Sequence, residues 1–242
     1  MTCHALRHAR YRADTWGTSL PLRLIIFDFD GVVADSEVLS NAVLAECVSE
    51  LGLPTTLDDC YRLYMGKRVP EIATAVEASL GRPLRPDFGD DFQKRALARF
   101  RTDLEAVAGA RDYLTTFAHV PRCIASTSSP ERLAVSLQAL GLVDTFGTSV
   151  FSSELVPRGK PHPDIFLYAA RQFAVDPAEC LVIEDSVGGV QAGVAAGMTV
   201  IGLLAASHVG DGHGDRLRRA GAHHIAATFD EVGEITQRLA AG

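Results

Sequence analysis

Residues 24–33 read LIIFDFDGVV, and this segment is the most informative one in the chain. An apolar run ends abruptly at two carboxylates, Asp28 and Asp30, and Gly31 follows them. This order is typical of a buried strand whose carboxyl end places acidic groups in a polar site, which is where ligands bind in open α/β sheets. Two carboxylates this close repel each other, so we expect a cation between them or a proton on one of them.

The composition is that of a globular chain with a substantial core. The 242 residues are 47% hydrophobic, which is enough for one large domain or a core domain with a smaller insert. The formal net charge of -7 disfavours nucleic-acid binding, because phosphate backbones need clustered Lys and Arg. Apolar runs stay well short of the roughly 18 residues of a membrane span. We therefore expect neither nucleic acid nor a membrane as a partner.

The amino-terminal segment and the cysteines bear on where the protein works. Residues 1–20 are rich in Arg and His and lack the apolar stretch of a secretory signal. A transit peptide stays open as an alternative, but we expect a poorly ordered extension. The five cysteines are scattered without C-x-x-C spacing, which favours buried free thiols in a reducing compartment. We expect a cytoplasmic monomer.

After the opening strand, the hydrophobic pattern becomes helical. Apolar residues recur every four positions from Leu39 to Leu51, which predicts an amphipathic helix that ends at Gly52. From there to about residue 107 the sequence lacks strand-like alternation. Proline and glycine separate three further predicted helices, around 57–64, 69–80 and 88–104. We therefore predict an all-helical insert over residues 37–106.

The remainder of the chain alternates short apolar strands with helices. Strands are predicted at 123–125, 149–151, 181–183 and 199–204. Helices are predicted at 130–140, 163–173, 187–197 and 229–239. Repeated βα units imply a parallel sheet with helices on both faces. The predicted fold is α/β, a doubly wound, Rossmann-like parallel sheet built from 21–36 and 107–242, with the helical insert after its first strand.

Polar residues follow four of the predicted strands. The clusters are Asp28 with Asp30, Ser126 with Thr127, Lys160, and Glu184 with Asp185. In a parallel sheet all four would gather at the carboxyl edge. This set can hold a divalent cation beside a phosphate, because Mg²⁺ favours carboxylate and substrate oxygens while a hydroxyl, backbone N–H groups and an ammonium suit phosphoryl oxygens.

These clusters resemble the four ordered motifs of the haloacid dehalogenase-like hydrolase superfamily. The residues that carry the resemblance are Asp28-x-Asp30-Gly31-Val32, Ser126, Lys160-Pro161, and Glu184-Asp185-Ser186 with Gly188, Gly189 and Gly193. Segments 30–37 and 159–166 are especially similar to the subgroup of phosphosugar phosphatases and β-phosphoglucomutases. The resemblance runs from about residue 22 to the end of the chain. Four motifs in order are far more specific than a lone D-x-D-G.

The resemblance implies a role for each acidic residue. Asp28 would be the nucleophile that forms an aspartyl-phosphate, and Asp30 would act as general acid and base. Mg²⁺ would be held by the Asp28 carboxylate, the Asp30 backbone carbonyl and Asp185, with Glu184 as a further candidate ligand. The cation would let an anionic nucleophile approach an anionic phosphate.

The resemblance also implies how the phosphoryl group is held. Ser126 and the Thr127 backbone would bind the transferring phosphoryl group. Lys160 would offset the charge on the nucleophile and on the phosphate. Catalysis of this kind is largely positioning and charge stabilisation.

The helical insert would be a cap that closes over the site and selects the substrate. Glu37, at the start of the first cap helix, is expected to contact substrate, although it could simply complement the helix dipole. The loop Gly66-Lys67-Arg68 could reach a substrate phosphate or carboxylate, and the alternative is a solvated turn. The Gly-rich segment 207–214 contains two histidines and is predicted to be a mobile surface loop and not a metal site, with a substrate contact by His208 at the rim left open.

The function expected from the sequence is a Mg²⁺-dependent phosphatase acting on a small phosphorylated metabolite, a sugar or sugar-acid phosphate. The alternative is a mutase of the β-phosphoglucomutase type. That alternative is disfavoured because Ser40 and Val69 stand where those mutases carry a histidine and an arginine, although Arg68 is adjacent to Val69. A third reading, a non-catalytic binding module, is expected to lose Asp28, Lys160 or the acidic pair, and all are present.

Overall fold

The structure is a computed structural model that describes residues 22–64, 67 and 69–241 of the chain. Its centre is a sheet of six parallel strands in the order β3-β2-β1-β4-β5-β6. The strands are β1 Leu24–Phe27, β2 Arg122–Ser126, β3 Val150–Ser152, β4 Cys180–Glu184, β5 Thr199–Leu203 and β6 His224–Ala226. The predicted parallel α/β fold is confirmed.

The central position of β1 explains its uninterrupted apolar sequence. Its four residues are all buried, since helices cover both faces of the sheet. Ile25 and Phe27 belong to the core on one face, and Leu24 and Ile26 belong to the core on the other. β1 pairs with β2 on one side and β4 on the other, so the residues that follow these three strands meet at one edge.

Eleven helices complete the part of the chain that the structure describes. They are α1 Ser36–Glu50, α2 Leu57–Leu63, α3 Val69–Leu80, α4 Phe88–Asp103, α5 Ala110–Thr116, α6 Pro130–Ala139, α7 Val143–Phe146, α8 Asp164–Gln172, α9 Val187–Ala195, α10 His213–Ala220 and α11 Phe229–Ala241. Short 3-10 turns lie at Ser153–Leu155 and Pro177–Glu179. Within the described residues, no helix has the length and apolar character needed to cross a membrane.

Helices α1 to α4 follow β1 and precede β2, and they share a small apolar core of their own. Val48, Cys60 and Val76 are fully buried in it. α1 contacts both α2 and α4, which holds this helical segment together. The helices lie where the insert was predicted, and the role of residues 37–106 as a separate cap domain stays a prediction.

Three helices, α5, α7 and α10, were not predicted. The first two are short, and α10 buries a single large side chain, Leu217, so it lacks a repeating apolar stripe. The prediction for residues 187–197 was accurate, because α9 ends at Ala195 and Gly197 has the positive φ of 76° expected after a helix. The predicted disorder of residues 1–20 lies outside the described residues.

Candidate active site

A cavity of about 920 Å³ opens at the carboxyl edge of the sheet. The predicted site residues that line it are Asp28, Asp30, Glu37, Thr127, Lys160, Glu184 and Asp185. They come from the ends of β1, β2 and β4, the start of α1 and the connection between β3 and α8. The structure therefore brings together polar groups that are far apart in sequence, as the parallel arrangement predicted.

Lys160 lies at the base of the cavity between two carboxylates. Its Nζ is 2.7 Å from Asp28 Oδ1 and 2.7 Å from Glu184 Oε1, and it lies 4.9 Å from the centre of the Phe166 ring. Only 5% of the lysine side chain is exposed. Burial alone would lower the pKa of Lys160, but attraction to Asp28 and Glu184 outweighs burial and holds that pKa above its ordinary value. The ammonium stays charged.

Three buried carboxylates cluster here, and two of them, Asp28 and Glu184, contact this ammonium. Asp28, Glu184 and Asp185 each place one oxygen within 4.8 Å of the others. Burial raises the pKa of Asp28 well above its ordinary value, with Lys160 opposing the rise and the other two carboxylates adding to it. Burial also raises the pKa of Asp185 to about 6. A cluster of three acids that contains one ammonium has an excess of negative charge, which fits a divalent cation with oxygen ligands.

Glu184 is the most constrained of the three. Its Oε1 accepts from Lys160, and its Oε2 accepts from Ser186 N at 2.7 Å and from Ser186 Oγ at 2.9 Å. Close packing by Gly189 also restricts it, because a Cβ on that glycine would lie 1.5 Å from Glu184 Oε1. Glu184 is within reach of a cation, but both of its carboxylate oxygens already accept hydrogen bonds from protein groups.

Asp30 is held by donors from two helices and a turn. Arg132 Nη2 in α6 lies 2.7 Å from Asp30 Oδ1, and Ser36 at the start of α1 donates to the same oxygen. Ser128 Oγ donates to Oδ2 at 2.5 Å. Burial alone would raise the pKa of Asp30, but Arg132 and these hydrogen bonds hold it below its ordinary value.

Arg132 is a site residue that the sequence analysis missed. A signal was available in the sequence, because Ser129 caps α6 and places Arg132 in its first turn. The helix dipole disfavours a cation at that end, so an acidic partner would stabilise it. Asp30 is that partner, and 102 residues separate the two in sequence.

The two predicted phosphoryl-binding residues, Ser126 and Thr127, differ in their exposure to the cavity. Ser126 is buried at the end of β2, and its Oγ accepts a hydrogen bond from Ser128 N at 3.1 Å. Thr127 follows and lines the cavity. Of this pair, Thr127 is therefore the one that faces the cavity, while Ser126 shapes the turn beneath it.

The segment after β5 anchors Asp185. His208 Nε2 lies 3.3 Å from Asp185 Oδ2, and His213 Nε2 lies 2.5 Å from the Asp185 carbonyl oxygen. A carbonyl only accepts, so His213 carries its proton on Nε2, and its Nδ1 is then free to accept from Arg216 Nη2 at 2.8 Å. Residues 207–212 do form a loop between β5 and α10, but the His208 side chain is only 11% exposed and His213 begins α10, so the two histidines are not on a mobile surface loop as predicted.

Gly31 lets Asp185 approach β1. Its φ is +80°, and a Cβ placed there would lie 2.0 Å from Asp185 Oδ2. A side chain at this position would be strained and would also displace the carboxylate. Gly31, in the first motif, therefore leaves room for the Asp185 carboxylate of the fourth motif.

The helical segment contributes one predicted residue to the cavity and three that were not predicted. Glu37 is half-buried, and burial together with the nearby Asp30 raises its pKa, although Arg132 opposes the shift. Lys67 is exposed and is not among the lining residues, while Gly66 and Arg68 lie outside the described residues. The unpredicted lining residues are Asp58, Tyr61 and Arg62 of α2.

Comparison with known proteins gives one family and a consistent set of relatives. Residues 22–197 match the family model for haloacid dehalogenase-like hydrolases. The 6-phosphogluconate phosphatase of Escherichia coli is 28% identical over 188 residues, which cover 77% of this chain and 85% of that protein. The phosphorylated carbohydrates phosphatase of Thermotoga maritima is 31% identical over 187 residues, which cover 73% of this chain and 82% of that protein.

Solved structures agree over nearly the whole length of the chain. A haloacid dehalogenase-like protein of unknown function from Agrobacterium tumefaciens has a TM-score of 0.81 and 35% identity, covering 90% of this chain and 99% of that one. A family hydrolase from Deinococcus radiodurans with bound phosphate and sodium has a TM-score of 0.76 and 32% identity, covering 91% of this chain and 97% of that one.

Proposed function

The chain belongs to the haloacid dehalogenase-like hydrolase family, and we propose that it is a Mg²⁺-dependent phosphatase that hydrolyses a small phosphorylated sugar or sugar acid. The observation that carries this proposal is the buried Asp28 at the end of β1, paired with Lys160 and facing Asp185 across the base of the cavity. Relatives that act as phosphatases on 6-phosphogluconate and on phosphorylated carbohydrates support the substrate class.

The first chemical step is phosphoryl transfer to Asp28. A carboxylate oxygen of Asp28 forms a bond to phosphorus while the bond from phosphorus to the leaving oxygen breaks, which gives an aspartyl-phosphate. Asp30 is held ionised in the free protein, so it takes up a proton when the phosphate binds and then gives that proton to the leaving oxygen. Lys160 offsets the charge on Asp28 and on the incoming phosphate, and Ser126 with the Thr127 backbone binds the phosphoryl group at the end of β2.

The second step is hydrolysis of the aspartyl-phosphate. Asp30, now ionised, takes a proton from water as the water oxygen bonds to phosphorus, and the bond between phosphorus and Asp28 breaks. The products are inorganic phosphate and the original carboxylate. The contact with Arg132 keeps Asp30 ionised for this step, and the same contact opposes the protonation that the first step needs.

Asp28, the Asp30 backbone carbonyl and Asp185 would hold the metal, with Glu184 within reach. Bound there, Mg²⁺ would reduce the repulsion between the nucleophile and the phosphate. The excess of buried negative charge over the single ammonium is the feature of this chain that favours a divalent cation.

The test is turnover by the purified protein with Mg²⁺ on a panel of phosphorylated sugars, hexitols and sugar acids, with and without a chelator. We expect metal-dependent release of inorganic phosphate. Conversion of β-glucose 1-phosphate to glucose 6-phosphate without net phosphate release would replace the phosphatase with a mutase. Phosphate release that a chelator leaves unchanged would reject the metal.

A further inference from the structure

Arg132 joins the proposed acid/base residue to the helical segment. Its Nη2 is 2.7 Å from Asp30 Oδ1, and the same nitrogen lies 3.3 Å from Ser36 Oγ and 3.4 Å from Ser40 Oγ of α1. Its guanidinium carbon lies 4.7 Å from the centre of the Phe100 ring of α4. One core side chain thus contacts two helices of the segment between β1 and β2 as well as the Asp30 carboxylate.

The environment of this arginine is unusual for a stabilising surface ion pair. The side chains of Arg132 and Asp30 are 23% and 16% exposed. By contrast, Glu50 and Glu46, which pair with Arg95 and Arg99 on the helical segment, are 59% and 56% exposed. Phe100, which supports the guanidinium, is fully buried. A pair held this firmly restricts where the Asp30 carboxylate can be.

We propose that Arg132 is a positioning residue that holds the Asp30 carboxylate at the junction of α6, α1 and α4. This inference rests on the proposed phosphatase function. Ser36 and Ser128 supply the other donors to Asp30, but only Arg132, among the described contacts of Asp30, reaches α4 as well.

The chemistry of the leaving group distinguishes this role from a structural one. An alkyl phosphate needs a proton on its leaving oxygen, whereas p-nitrophenolate leaves without one. Misplacing Asp30 should therefore slow transfer from an alkyl phosphate and spare transfer from p-nitrophenyl phosphate. A general loss of folded protein, or of phosphate binding, would slow both.

The experiment compares kcat/KM for p-nitrophenyl phosphate with kcat/KM for 6-phosphogluconate or glucose 6-phosphate, whichever the wild type hydrolyses faster. For Arg132→Met we expect the alkyl value to fall by about 10- to 100-fold and the aryl value to fall by less than about threefold. Arg132→Lys keeps the charge and should recover part of the alkyl rate. Arg99→Met, which removes a surface pair on α4, is the matched control and should leave both values unchanged.

A double-mutant cycle tests whether Arg132 acts through Asp30. In the Asp30→Asn background, Arg132→Met should cost little further alkyl turnover, because the group that it positions is already lost. Equal losses for the two substrates, or losses that add in the double variant, would overturn the proposal. Thermal unfolding of every variant shows whether it is folded under the assay conditions.

The controls also separate this inference from the function on which it rests. Absence of phosphatase activity in the wild type would refute the proposed function. If Asp30→Asn keeps the wild-type ratio of kcat/KM for the alkyl and aryl substrates, the acid role of Asp30 is refuted. The result that counts against Arg132 alone is a selective loss of alkyl turnover in Asp30→Asn together with an equal loss for both substrates in Arg132→Met.

Discussion

Lys160 Nζ lies 2.7 Å from Asp28 Oδ1, so the proposed nucleophile is bonded to a buried cation. Removing either group from water alone would be costly, and their attraction compensates for that cost. The pairing is incomplete, because burial and two neighbouring carboxylates still leave the pKa of Asp28 raised. Buried negative charge that Lys160 does not neutralise is the physical reason for expecting a metal ion at the same edge of the sheet.

Replacing Lys160 should damage both stability and turnover. Lys160→Met leaves Asp28 and Glu184 buried without their shared cation, so we expect the free energy of unfolding to fall by about 3–5 kcal/mol. Turnover should fall by at least about 100-fold. Chemical denaturation and steady-state kinetics measure the two effects. Lys94→Met, on the exposed face of α4, is the control, and equal stability of the two variants would contradict the account.

Two adjacent glycines should respond very differently to alanine. In Gly189→Ala the added Cβ would lie 1.5 Å from Glu184 Oε1, so Glu184 must move away from Lys160. We expect a loss of about 3 kcal/mol or more. Gly188→Ala meets no atom within 4 Å and should raise the free energy of unfolding by up to about 1 kcal/mol through helix propensity. Denaturation curves measure the free energy of unfolding of each variant, and similar free energies for the two would refute this role for Gly189.

The stability of the metal-free protein should depend on Asp185. Burial raises its pKa from 3.8 to about 6, so its favourable contribution is complete below pH 3.8 and is lost as pH rises through about 6. The loss amounts to about 3 kcal/mol. The free energy of unfolding of the wild type should therefore decline relative to that of Asp185→Asn over this range. Mg²⁺ should stabilise the wild type more at pH 7.5 than at pH 5. Parallel pH curves for the two proteins would contradict the assignment.

His213 should affect metal binding without touching the metal. Its contact with the Asp185 carbonyl fixes the backbone that presents a proposed ligand. His213→Phe should weaken Mn²⁺ binding, measured by electron paramagnetic resonance on the substrate-free protein, by about 10-fold or more. Arg218→Ala on the same helix removes an exposed pair with Asp215 and is the control. Equal Mn²⁺ affinity in the two variants would show that the contact is only structural.

The sequence was sufficient to predict five of the six strands, all but β6, and the convergence of the four motifs. A strand buried on both faces reads as a continuous apolar run, and parallel strands bring their carboxyl ends to one edge. Asp28, Lys160 and Glu184 therefore meet as expected. The family assignment is also confirmed, while the chemical role of each residue stays a prediction.

What could not be predicted depends on contacts between distant elements. Arg132 makes its contacts with α1 and α4 only because α6 packs beside those helices. Likewise, α2 reaches the cavity through the packing of the helical segment. His208 was assigned to a loop because glycines surround it in sequence. Its burial follows from the close approach of that segment to Asp185, which local sequence does not encode.

The central claim is that Asp28 carries the phosphoryl group during turnover. The most direct test is to quench the reaction in acid, reduce any acyl phosphate with borohydride and locate the resulting homoserine by mass spectrometry. The account predicts homoserine at position 28, dependent on substrate and absent from Asp28→Asn. Modification at a different carboxylate, or turnover without any trapped acyl phosphate, would contradict it.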